Sequence, residues 1–79
     1  MAKLNGKTLH INRVKEILKN ISKEEVQYVD LYYAMIIGHR KNVNIRTNWE
    51  YYSLDLTYNE FRKIAHILDE LNGEKLQYR

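Results

Sequence analysis

Seventy-nine residues with a net charge of +3 and no cysteine make one small domain, near the size at which a single core just suffices. That excludes a catalytic domain paired with a substrate domain, a disulfide framework, a thiol nucleophile and a thiolate metal site. No apolar stretch approaches the ~20 residues that span a bilayer, and the start, MAKLNGKTLHIN, lacks an apolar segment of signal-peptide type, so a cytoplasmic protein with no membrane association is expected.

In chain order, Ile11, Val14, Ile17, Leu18 and Ile21 fall at helical spacing, with Lys15, Glu16 and Lys19 on the other side. The spacing predicts a short amphipathic helix from about Asn12 to Ile21, with Asn12 as N-cap. Ser22 to Glu25 has the form of a capping box and Gly38 that of a helix stop. Wound as a helix, however, the segment between them is apolar on every side. As a strand from Val26 to Ile37 it places Val29, Leu31, Tyr33, Met35 and Ile37 on one face. Tyr28, Asp30, Tyr32, Ala34 and Ile36 take the other, and the β-branched and tyrosine content agrees.

A turn over Gly38 to Lys41 follows. Val43, Ile45 and Thr47 then alternate with Asn42, Asn44 and Arg46, and Thr47 to Glu50 forms a second turn. In the next strand Tyr52, Leu54 and Leu56 face in, while Tyr51, Ser53 and Asp55 face out. Connections this short require antiparallel pairing. Thr57-Tyr-Asn-Glu60 is a capping box opening a helix whose apolar face is Phe61, Ile64, Ala65, Ile67, Leu68 and Leu71, and Gly73 ends it. The expected fold class is α+β, a single domain over residues 1–79. Its order is α-β-β-β-α, a three-stranded antiparallel meander with the helices packed on one face.

Asn, Ile and Lys occur eight times each and Tyr seven times, residue types whose codons are rich in A and T, which points to an AT-rich bacterium or its phage. Charge comes in blocks. Residues 1–23 carry six Lys and Arg against Glu16 alone, residues 24–37 carry Glu24, Glu25 and Asp30, and residues 38–48 carry Arg40, Lys41 and Arg46. Alternating blocks argue against one continuous phosphate-tracking stripe.

His10, His39 and His66 form no metal-ligand pair. No nucleophile and base stand together, and the three glycines make no phosphate loop. No catalytic residue, metal site or cofactor is expected, and the protein is expected not to be an enzyme. Nucleic-acid binding would use the basic turn and the first helix: Lys15, Lys19, His39, Arg40, Lys41 and Arg46, each phosphate contact adding salt-dependent affinity.

The α-β-β-β-α order, with Gly38-His39 between the first two strands and Arg62-Lys63-Ile-Ala65-His66 in the last helix, resembles the double-stranded-RNA-binding domain. That resemblance implies contacts to RNA through the loop and the start of the last helix. It rests on element order and two short motifs, and the basic motif lies a turn further into the helix than in that family, behind Glu60.

A protein partner is the third reading, and the one the residues favour. The face opposite the helices would present Tyr28, Tyr32, Arg46 and Tyr51, with Trp49 at the adjoining turn, the aromatic and arginine mixture that interfaces favour. Asp30 and Asp55 on that face would repel phosphates but pair with basic groups of a protein. The expected function is a small non-enzymatic binding module. Its concrete form is a phage or mobile-element inhibitor occupying a larger host protein, a nucleic-acid-handling defence enzyme. Direct RNA or DNA binding is the first alternative and a homo-oligomeric structural subunit, such as a homodimer, the second.

Overall fold

The computed structural model describes residues 2–34, 40–73 and 76–78, with backbone alone at 31–34 and 76–78. Its elements are β1 (Ala2–Leu4), β2 (Lys7–Leu9), α1 (Ile11–Lys19), β3 (Val26–Ala34), β4 (Arg40–Thr47), β5 (Tyr51–Thr57), α2 (Tyr58–Asn72) and β6 (Leu76–Tyr78). They build one sheet in the order β2-β1-β5-β4-β3-β6. The first five strands in the chain pair antiparallel, and β6 pairs parallel with β3.

The α+β class and the central β3-β4-β5 meander agree with the sequence. Three strands were not foreseen. Leu4-Asn5-Gly6-Lys7 closes a hairpin in which Asn5 has φ 51° and Gly6 φ 83°, the two positive angles that a tight I′-type turn requires. The hairpin docks on β5 by pairing Lys3 with Asp55 and Leu4 with Leu54. At the other edge, α2 supplies the long crossover that parallel pairing of β6 on β3 demands.

α1 starts one residue earlier than its spacing predicts. Its N-cap is His10, not Asn12. His10 has extended backbone, and its Nδ1 accepts the Asn12 amide at 3.1 Å. Ser22 to Glu25 is not a helix cap either: its hydroxyl goes to Glu24 at 2.7 Å, and residues 23–25 make a single 3₁₀ turn into β3. At α2 both bonds of the expected capping box are present, Glu60 amide to Thr57 Oγ1 at 3.2 Å and Thr57 amide to Glu60 Oε1 at 2.9 Å. Gly73 ends that helix with φ 53°.

Ile11, Val14 and Leu18 of α1 and Ile64, Ile67, Leu68 and Leu71 of α2 form one core with Ala2, Val26, Val29, Val43, Ile45, Leu54 and Leu56 of the sheet. Both helices therefore cover the same face, the one to which alternation sends Val43, Ile45, Leu54 and Leu56. Between Val26 and Tyr28 the β3–β4 register slips by one residue. That bulge at Gln27 lets Val26 and Val29 both point into the core, which a strict period of two forbids. Among the described residues no helix is long and apolar enough to cross a membrane.

Candidate functional site

The open face of the sheet is organised in cross-strand rows. Register places Arg46 of β4 directly between Tyr28 of β3 and Tyr51 of β5. Below this row lie Asp30, Asn44 and Ser53, then residue 32 with Asn42 and Asp55, then residue 34 with Arg40 and Thr57. Directly opposed side chains stand roughly 4.5–5.5 Å apart at Cβ, close enough to interact. The Gln27 bulge puts Tyr28, not Gln27, opposite Arg46.

Arg46 and Tyr51 are exposed and Tyr28 is half-buried. Trp49 is 80% exposed in the turn that follows β4, and that turn is firmly tied. Thr47 Oγ1 accepts the amides of Trp49 at 3.2 Å and Glu50 at 2.8 Å. The Asn48 amide donates to the Glu25 carbonyl at 2.9 Å, and Gln27 Nε2 donates to Asn48 Oδ1 at 3.1 Å. A buried threonine so bonded fixes the indole's backbone while leaving its side chain in water. On the helix side of this end, Ile21, Glu25, Trp49 and Tyr52 border a depression of about 130 Å³.

Of the five residues expected to meet a protein partner, three share one row of the open face, Tyr28, Arg46 and Tyr51, while Trp49 stands in the turn beyond that row and borders the helix-side depression. Tyr32 takes a register position opposite Asn42, and its side chain lies outside the described residues, as do residues 35–39 entirely, including Gly38 and His39.

Among the described residues, those expected to meet nucleic acid divide between the two faces of the sheet. Arg40 and Lys41 belong to β4, not to a turn, and alternation sends them to opposite faces. On the open side, Arg40 Nε donates to Asp55 Oδ1 at 2.7 Å and its Nη2 to the Asp55 carbonyl at 3.2 Å. On the helix side, Lys41 Nζ stands 4.3 Å from the centroid of the Phe61 ring, and burial lowers its pKa from the usual 10.5. Lys15 and Lys19 sit on α1, in the helical layer, across the sheet from Arg46.

The extra strands also remove the α-β-β-β-α order on which the resemblance to the double-stranded-RNA-binding domain rested, since a hairpin precedes α1 and a strand follows α2. The chain matches no protein-family model, no curated protein and no solved structure.

Sequence reasoning missed Asn5. Its backbone amide donates to the Ser53 carbonyl at 2.7 Å, its Oδ1 accepts the Ser53 amide at 2.7 Å, and its Nδ2 donates to the Tyr51 carbonyl at 3.2 Å. The carboxamide thus replaces the next peptide unit of β1 and steadies the strand that carries Tyr51. The Asn-Gly pair between Leu4 and Lys7 was the available signal. Among the described residues no three His, Asp or Glu side chains converge as metal ligands.

Proposed function

We propose that the protein is a small non-enzymatic binding module that occupies a site on a larger protein through the open face of its sheet. The observation that supports this most is the row Tyr28–Arg46–Tyr51, with Trp49 beyond its end. Rigid aromatic side chains around one exposed guanidinium give large contact area and directed hydrogen bonds at little entropic cost. On the same face Asp55 is bonded to Arg40, so that pair offers a polyanion little net positive charge. The concrete form of the proposal is a stoichiometric inhibitor, from a phage or mobile element, of a host enzyme that handles nucleic acid. Its small size and AT-rich composition fit that role.

The described cations expected to meet nucleic acid divide between the two layers, with Arg40 and Arg46 on the open side and Lys15, Lys19 and Lys41 on the helix side, so one duplex laid on the protein meets one group and not both. The discriminating experiment titrates the protein into labelled duplex RNA, duplex DNA and single strands at low and physiological salt. The protein-binding reading expects no tight complex. Tight binding that weakens steeply with salt, with a slope lowered by about 0.9 in Arg46→Ala, overturns it.

A second arm uses wild-type and Trp49→Ala/Arg46→Ala protein as bait in quantitative capture from host lysate. A partner retained by the wild type should fall by about 30-fold or more on the double variant. Equal retention would remove the open face from the interaction. A cooperative thermal transition at the wild-type midpoint keeps the result one of binding. Loss of that transition would assign the residues to the core instead.

A further inference from the structure

α1 leaves part of the hairpin uncovered. Register pairs Ala2 with Leu9 and Leu4 with Lys7, so these four residues share the face turned toward the helices. Ala2 is buried, Leu4 and Leu9 are half-buried, and Lys7 is exposed. Together with Asn5, Arg13 and Ile17, the last three line a groove of about 370 Å³, in the lower part of the range of ~300–1,000 Å³ typical of ligand sites. Leu4, Leu9 and Ile17 form an apolar floor, and Lys7 and Arg13 stand at its mouth.

Two observations define the occupant by charge. Lys7 holds a place on the helix-side face that would otherwise go to an apolar residue, and it has no ion pair among the described residues. Arg13 meets Glu16 at 3.2 Å, but the two side chains are 63% and 68% exposed, and so exposed a pair exchanges readily for a better acceptor. Glu16 is also the only acid among the first 23 residues, against six Lys and Arg. The groove is therefore apolar within and cationic at its entrance.

We propose that this groove receives a segment of a partner protein in which an aliphatic side chain stands beside a carboxylate. The aliphatic group displaces water from Leu4, Leu9 and Ile17, while the carboxylate accepts from Lys7 Nζ and the Arg13 guanidinium. A bare anion would leave the floor wet, and a neutral apolar group would leave Lys7 uncompensated. The groove lies on the helix side of the sheet, opposite the Arg46 row, so this contact stands or falls separately from the open-face proposal.

The test is an NMR titration of the intact protein with N-acetyl-leucine, which carries an isobutyl group and a carboxylate on one carbon. N-acetyl-leucinamide lacks the charge, acetate lacks the aliphatic group, and the tetrapeptide acetyl-Ser-Leu-Asp-Ser-amide carries both within a chain. N-acetyl-leucine should shift Leu4, Leu9, Ile17, Lys7 and Arg13 with a dissociation constant on the order of a few millimolar, as expected for a ligand of so few atoms. Lys7→Gln and Arg13→Gln should each weaken it about threefold to fivefold. Lys3→Gln removes the same charge from the opposite face of the sheet and should leave binding unchanged.

The tetrapeptide should bind more tightly than N-acetyl-leucine. Weaker binding would make the occupant a free small acid and end the partner-segment proposal. Equal binding of N-acetyl-leucinamide or of acetate would reduce the groove to apolar contact or to diffuse charge, and either result overturns it. So does the absence of localised shifts at a probe concentration tenfold above the expected constant.

Discussion

Asn5→Ala tests how the N-terminal hairpin is locked to the sheet. Two side-chain hydrogen bonds are lost, to the Ser53 amide and the Tyr51 carbonyl. Each contributes about 0.5–1 kcal/mol at this exposed site. Alanine must also hold φ near 51°, which costs a residue with a Cβ roughly 1–2 kcal/mol, a cost that asparagine largely escapes. The sum is a destabilisation of about 2–4 kcal/mol, or a fall in Tm of about 8–30 °C for a domain of this size. Asn5→Gly keeps the backbone relaxed and loses only the two bonds, so it should cost about 1–2 kcal/mol. Far-UV circular dichroism during urea and thermal unfolding measures both; Trp49 fluorescence would not, because the indole is already in water. Asn5→Ala within about 0.5 kcal/mol of wild type would refute the lock. If Asn5→Gly were as destabilising as Asn5→Ala, the strain component of the argument would fail.

Leu54→Ala removes a fully buried side chain from the centre of the sheet and should cost about 2–5 kcal/mol in urea unfolding, enough to leave the domain partly unfolded at ambient temperature. Thr57→Ala deletes one half of the capping box of α2 and should lower stability by about 1 kcal/mol, with Thr57→Ser restoring most of it. Burial, and then the Glu50 carboxylate, raise the Tyr52 phenol above its ordinary 10.0. Because the folded pKa is the higher one, the stability this group contributes is intact below pH 10 and is lost as pH rises through the folded value. Tyr52→Phe should abolish that alkaline decline, and Glu50→Gln should bring the phenol titration, followed by ultraviolet absorbance, closer to 10.

Much of the fold is visible in the sequence wherever an element is long enough to show its period. The 15 residues of α2, with threonine and glutamate at one end and glycine at the other, satisfy helix chemistry at both termini and along the face. β4 and β5 alternate cleanly, and of their inward residues Val43, Ile45, Thr47, Leu54 and Leu56 are buried as expected while Tyr52 is half-buried. β1, β2 and β6 have three residues each, too few for a period to register, and only Asn5-Gly6 marks the first two. The bulge at Gln27 is equally hidden, since it depends on which residues β4 offers across the ladder. For the site, composition brought out Tyr28, Arg46, Trp49 and Tyr51. What composition could not show is that Arg40 and Lys41 do not act as one basic pair: alternation sends one cation to Asp55 and the other to Phe61.

The pairing of Lys3 with Asp55 has a consequence for how the domain opens and closes. Strands β3, β4 and β5 are neighbours along the chain, so their contacts close short loops, whereas docking β1 on β5 closes one of about fifty residues and carries a larger entropic cost. The hairpin is therefore expected to join the sheet last and leave it first. Native-state hydrogen exchange should find its amides opening at lower free energy than those of β4, which is paired along both edges. While the hairpin is away, β5 presents free amides and carbonyls along the stretch it shared with β1, an edge ready to accept a strand from another chain. The stretch Asn5 occupies is thus the domain's gate against that form of self-assembly.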